Sequence, residues 1–311
     1  MARPGDDRSI EMVVRVGSVT LPNPVMTASG TAGHGDELGR YMDLSTIGAV
    51  VVKSLAAEPW AGNPAPRVHE VSAGMINSVG LAGPGVAAWR DEELPKLRAA
   101  GARVVASIWG RSVGQYEAAA ALLAGVEGVS AVEVNLSCPN LGGGHAMFAH
   151  DPVATAEVIE ATTAAGLPRW AKLSPNTDRL VEVAAAAADA GAEAVTLVNT
   201  VMGMVIDLER RRPLLGGGGG GVSGPAIHPV AVRAVYDCHS ALPELPIVGV
   251  GGVGSGRDAI ELIMAGAVAV QVGTASFAQP ASVRRVSDEM ATWCRRHGVA
   301  AVRDLQGVAH G

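Results

Sequence analysis

The sequence predicts an α/β protein, and within that class a (β/α)8 TIM barrel, on three observations. Eight short runs are apolar throughout, as strands buried on both faces must be. Helical segments alternate with them, and the alternation fills the 311 residues as one domain spanning 1–311. Polar and glycine-rich residues gather just after the runs, at the strand ends where such barrels keep their active sites. A doubly wound open sheet is the competing fold, but no glycine fingerprint follows the first strand.

The first strand is read in Asn23 to Gly30, ending in a glycine turn, and the second in Gly48 to Leu55. Glu58 to Gly85 is rich in Pro, Gly and Asn, too long for a passive connection, and is expected to be a structured, functional loop. Trp89 to Ala100 is expected as a helix and Arg103 to Ile108 as the third strand, closed by Trp109-Gly110. An Ala-rich helix over Tyr116 to Leu123 leads to the fourth strand at Ala131. Asp151 can cap a helix over Asp151 to Ala165, with Pro152 suited to its first turn. Trp170 to Leu173 is the fifth strand, and Leu180 to Ala190 a helix that Gly191 stops. Ala194 to Val198 is the sixth strand. A second long loop, Met202 to Pro225, holds six consecutive glycines at 216–221, read as a linker or mobile loop. Helix, strand, helix and strand then follow over Pro229–Cys238, Pro246–Val250, Arg257–Ala265 and Ala267–Val272, with a mainly helical remainder through Arg296.

Composition narrows the function. Aromatics are 3% of the chain against 48% hydrophobic residues, so the core is built from Ala, Val, Leu and Ile. A net charge of −6 argues against a nucleic-acid surface. No apolar run approaches the roughly 20 residues that span a bilayer, and Met1 to Glu11 does not read as a signal peptide. The expected setting is cytoplasmic. Cys138, Cys238 and Cys294 are too few and too far apart for a disulfide framework, a metal pair or a four-thiolate cluster. His34, His69 and His228 lack metal-ligand spacing, and no metal site is expected; His145 and His150 read as exposed loop residues.

The fourth strand ends in Asn135-Leu136-Ser137-Cys138-Pro139-Asn140, where amides, a hydroxyl and a thiol crowd one turn before a proline that cannot extend a ladder. Buried, each such group needs a partner, and a ligand at the strand end would supply one. The other ends carry Ser29, Lys53-Ser54, Ser107, Lys172, Asn199-Thr200, Gly251-Gly252 and Gly273-Thr274. Only three lysines occur among 24 basic residues, and two of them, Lys53 and Lys172, stand at strand ends. In so lysine-poor a chain this favours function over a solvated rim charge. The glycine turns, with Ser223-Gly224, suit a phosphate held by backbone N–H groups. Cys138 is placed to act as a general base if its thiol is acidified. Cys238 and Cys294, on helical segments, read as inert core thiols.

These residues carry a resemblance. Asn135 to Asn140, Gly62-Asn63-Pro64-Ala65-Pro66-Arg67, Met75 to Leu81 and Ser223-Gly224-Pro225-Ala226-Ile227 resemble the class 1 dihydroorotate dehydrogenases, in the family's order from about Asn23 to Gln279. Met202 to Leu208 and Arg211-Arg212-Pro213 resemble the B-type, NAD-linked catalytic subunits, whose partner subunit carries FAD and an iron–sulfur (2Fe-2S) cluster.

The resemblance implies FMN across the barrel mouth, with Ser29, Lys53, Ser54, Ser107, Asn135, Lys172, Val198, Gly224, Gly251, Gly252, Gly273 and Thr274 at cofactor positions. It implies dihydroorotate held by Lys53, Asn77, Ser78, Val79, Gly80, Leu81, Asn135, Asn140, Asn199 and Thr200. Cys138 matches the base that takes a proton from C5 while C6 passes hydride to the flavin, and Lys53 orients the substrate. A homodimer, joined to the electron-transfer subunit as a heterotetramer, is the implied assembly. The sequence departs from the family pattern at Ser107, where Asn is usual, at His228, where Lys is usual, at the polyglycine, and in a slightly shortened loop after Lys172. Three alternatives stay open: another dihydropyrimidine such as dihydrouracil, an A-type enzyme linked to fumarate, and a non-catalytic flavin-binding barrel.

Overall fold

The computed structural model describes residues 9–137 and 147–311. Eight parallel strands form the sheet: β1 Val25–Thr27, β2 Val50–Val51, β3 Val104–Ile108 and β4 Val129–Asn135, then β5 Arg169–Lys172, β6 Ala194–Leu197, β7 Ile247–Val250 and β8 Ala269–Val272. Their spatial order is β1-β8-β7-β6-β5-β4-β3-β2, so every strand pairs with its sequence neighbours. The two ends meet. Gly48 donates to the Val25 carbonyl (2.8 Å) and Thr27 to that of Ala49 (3.2 Å), while the Thr27 hydroxyl accepts from the Val51 N–H at 2.8 Å. A threonine thus completes the ladder where β1 and β2 close a (β/α)8 barrel.

Strand alternation sorts the side chains. Met26, Val51, Val105, Ala131, Trp170, Ala194, Val248 and Ala269 fill the barrel interior. Below them an antiparallel hairpin, Val14–Val16 with Val19–Leu21, plugs the N-terminal end with Val14, Val16 and Leu21. Residues on the outward face, such as Val104, Ala106 and Ile108, pack under the surrounding helices.

The helices begin close to their expected positions. The Asp151 carboxylate accepts from the N–H groups of Val153 and Ala154 and caps the helix Pro152–Ala161. The single helix expected over Trp89 to Ala100 is two, Val86–Glu92 and Leu94–Ala99, because Pro95 has no N–H to continue the first ladder.

The two long loops meet over the barrel mouth. Each supplies two strands to one antiparallel sheet, in the order Val201–Gly203, Gly220–Ser223, Gly74–Asn77, Val68–Val71. The polyglycine is therefore not the linker its composition suggests. Gly220 and Gly221 are strand residues, and Gly221 pairs with both Asn77 and Met202. A Cβ would lie 2.2 Å from the Pro64 carbonyl at Gly216, 2.2 Å from the Ser78 hydroxyl at Gly217 and 2.5 Å from the Asn77 carbonyl at Gly220. Glycine is used here for close approach of the run to the loop at 63–65 and to the adjacent Gly74–Asn77 strand.

Candidate active site

A cavity of about 1010 Å³ opens at the C-terminal ends of the strands, between the barrel and the four-stranded sheet. Ligand pockets usually hold roughly 300–1,000 Å³, so this one has room for a cofactor beside a second small molecule.

Its floor and near wall come from four of the first five strands. Ser29 follows β1, Lys53 and Ser54 follow β2, and Asn135 and Lys172 end β4 and β5; all line the cavity. These polar groups brace one another. The Ser54 hydroxyl accepts from the Asn135 amide at 3.1 Å and lies 3.1 Å from that of Ser29. The Lys53 ammonium donates to the Ala82 carbonyl at 2.6 Å, fixing its stem against the wall that carries Val79, Gly80 and Leu81. Burial, and then the Lys53 charge, hold the neighbouring His34 imidazole below its ordinary range.

The far wall follows β6. Asn199 donates from its amide to the Asn135 side-chain oxygen at 3.3 Å, and its own oxygen accepts the Thr200 N–H at 2.8 Å. Asn176 clamps the next turn, donating to the Thr200 carbonyl (3.0 Å) and accepting from the Met202 N–H (2.9 Å). Val198, Asn199 and Thr200 line the cavity, as does Asn77 from the sheet above.

The remaining end is glycine-rich. Gly224, Gly251, Gly252, Gly273 and Thr274 all line the cavity. Gly224, Gly251 and Gly252 have φ of +100°, +135° and +69°, a region L side chains rarely adopt. A Cβ on Gly252 would lie 2.9 Å from the Gly224 carbonyl, so glycine is required for the two turns to converge. The Thr274 hydroxyl donates to that of Ser223 at 2.8 Å, and His228 Nδ1 lies 2.8 Å from the Gly251 carbonyl, bracing the same corner. Glycine backbone lining the cavity, with the hydroxyls of Ser223 and Thr274, makes a donor set suited to a phosphate.

Two expected residues stand elsewhere. Ser107 does not line the cavity: its short side chain is fully buried, with its hydroxyl 2.9 Å from that of Ser54, which stands between it and the mouth. Ser78 is also absent from the lining, and its hydroxyl accepts from the Asn63 amide at 2.9 Å. Cys138 and Asn140 lie outside the described residues, directly after Ser137, which lines the cavity. His150 is half-buried rather than exposed, its Nε2 enclosed without a partner among the described residues. Burial pushes its imidazole below the ordinary range.

The sequence reading missed two parts of the site. The hairpin residues His69 and Glu70 line the cavity, although nothing in Glu58 to Gly85 marks them. Below the floor, Glu133, Thr196 and Gln271 form a buried polar layer with Lys172. The signal was there, since Glu133 interrupts an otherwise apolar strand.

The other two thiols are sealed in the core. Burial pushes Cys238 up to about 12 and raises Cys294 as well. At pH 8 the thiolate fraction of Cys238 is then on the order of one in ten thousand. Peptide mapping after iodoacetamide treatment should find both unmodified in the folded protein and both alkylated once it is unfolded.

A family model described as dihydroorotate dehydrogenase matches residues 11–293. A protein of Desulforudis audaxviator (strain MP104C) is 47% identical over 302 residues, covering 97% of this chain and 98% of its own. One from Geobacter sp. (strain M21) is 46% identical over 298 residues, with 96% and 97% covered, and one from Geobacter sulfurreducens is 43% identical with the same coverage. All three are named dihydroorotate dehydrogenase B (NAD(+)), catalytic subunit. With matches of this length on a barrel of this design, the chain belongs to the dihydroorotate dehydrogenase family, among its NAD-linked B-type catalytic subunits.

Proposed function

We propose that this chain, as one domain over residues 1–311, binds FMN and oxidises (S)-dihydroorotate to orotate in pyrimidine biosynthesis. The observation that carries the proposal is the convergence of Lys53, Asn77, Asn135, Asn199 and Thr200 on one cavity whose other end is a glycine-lined anion cradle. The donor set fits FMN. Gly224, Gly251, Gly252, Gly273 and Thr274 would hold its phosphate, and Ser29, Ser54, Asn135, Lys172 and Val198 its ring. Bound there, FMN supplies the hydride acceptor, which no side chain can provide.

The chain supplies position and proton transfer. Dihydroorotate is a carboxylate bearing ring amides, so it needs a fixed cation and several amide partners. Lys53 meets the charge, and Asn77, Asn135 and Asn199 present both donors and acceptors. Cys138 removes the C5 proton, and Asn140 completes the substrate contacts. Electrons leave through a partner subunit with FAD and a 2Fe-2S cluster to NAD, in a cytoplasmic heterotetramer built on a homodimer.

Anaerobic mixing of the flavin-loaded chain with each candidate tests this. Dihydroorotate should bleach the flavin absorbance within seconds, and dihydrouracil should not. Bleaching by dihydrouracil alone would reassign the substrate, and rapid reoxidation by fumarate would reassign the acceptor. Absence of bound flavin after reconstitution would sink the proposal itself.

A further inference from the structure

The barrel interior holds a charge pair, Lys172 and Glu133, of which the proposed chemistry uses only the lysine. Glu133 is fully buried, two residues before Asn135 on β4 and on the same face of the strand. One of its oxygens accepts from the Gln271 amide at 2.7 Å and from the Thr196 hydroxyl at 3.2 Å. The other has no hydrogen-bond partner among the described residues and faces the Lys172 ammonium at 3.7 Å. Lys172 lies level with Asn135 and Thr196 in the sheet register.

The pair is asymmetric. Lys172 lines the cavity, while Glu133 is sealed behind it with no exposure. The adjoining layer of the same barrel is filled by Ala, Val, Met and Trp. A buried ion pair is often no more stable than well-packed apolar residues of similar volume, so stability alone gives little reason for this one. Its geometry presents a cation to whatever occupies the cavity and fixes an anion behind that cation.

We propose that Glu133 is a positioning residue that sets the reduction potential of the bound flavin by offsetting the charge of Lys172. This rests on FMN being the cofactor. Reduced flavin carries more negative charge than oxidised flavin, so a bare cation beneath it favours reduction and a bare anion opposes it. Together the two charges largely offset one another at this point of the cavity. Hydrogen bonds from Gln271 and Thr196 hold the carboxylate behind the lysine.

Spectroelectrochemical titration of the FMN-loaded full chain tests this without turnover. Glu133→Gln should make reduction about tenfold more favourable, ~30 mV higher for a two-electron couple. Lys172→Met should move it about tenfold the other way, and the double variant should fall between the two. Glu133→Asp, which keeps the charge, should stay close to wild type. Should Glu133→Gln fail to fold, adding it to Lys172→Met must still raise the potential above that of Lys172→Met alone. Thermal melting adds a check, because each single change strands a buried charge and the double change removes both.

A role confined to packing gives no reason for opposite signs. The proposal fails if Glu133→Gln leaves the potential unchanged or lowers it. It fails equally if both single changes shift the potential in the same direction. Wild-type protein that takes up no FMN would overturn the cofactor reading and this inference together. Protein that binds FMN without the opposed shifts would overturn this inference alone.

Discussion

Cys138→Ala should slow flavin reduction by dihydroorotate about 10²–10⁴-fold, the usual worth of a positioned general base, while flavin stays bound. The residue before it, Ser137, already lines the cavity, and the Asn135 side chain accepts the Ser137 N–H at 3.2 Å. The chain is therefore anchored to the cavity one residue before the thiol. The loss should fall on the rate of reduction at saturating dihydroorotate and not on its apparent affinity, because the amides that position the substrate are untouched. Single-turnover stopped-flow traces separate the two. The same substitution at Cys238, sealed in the core, should cost stability and leave the reduction rate alone. Equal rates in wild type and Cys138→Ala would remove the base assignment, and equal losses at Cys138 and Cys238 would reduce it to a folding effect.

The barrel was legible because its strands are buried on both faces, so their sequences are apolar runs that need no partner to be recognised. The anchors at the strand ends were legible for the converse reason: Lys53, Asn135 and Lys172 are polar residues at the tips of such runs. What lay above and below them was not. The sheet over the mouth pairs Asn77 with Gly221, 144 residues apart, and neither segment alternates strongly enough to announce a strand. The glycine run misled because composition reports flexibility in an isolated chain, whereas here neighbouring backbone and side chains leave no room for a Cβ at Gly216, Gly217, Gly220 or Gly221. Glu133 is not marked by its place at a strand end, because it sits one layer deeper. Ser107 shows the limit of transferring a position: the place matches, but the shorter side chain finds Ser54 first.

Gly221→Ala should lower kcat/KM for dihydroorotate about 100-fold, though the substitution adds one methyl group outside the glycine cradle. A Cβ at this position would stand 2.0 Å from the Thr200 hydroxyl oxygen and 2.6 Å from the Thr200 Cβ. No rotamer relieves the second contact, so either Thr200 or the Gly220–Ser223 strand must move. If the strand moves, Asn77 moves with it, since it pairs with Gly221 and donates from its amide to the Gly221 carbonyl at 3.3 Å. Both outcomes displace a cavity-lining residue, and a displacement of about 1 Å can cost on the order of 10²-fold. Overpacking of this kind costs roughly 1–3 kcal/mol. Within a chain of 311 residues that amounts to a few degrees of melting temperature. Activity should therefore fall much further than stability. Gly219→Ala is the control within the same run, because its nearest neighbour is the Gly203 carbonyl oxygen at 3.3 Å. A linker would tolerate both substitutions alike. Near-normal kinetics for Gly219→Ala and a 100-fold loss for Gly221→Ala require the end of the run to be a packed strand that holds Thr200 and Asn77 in place.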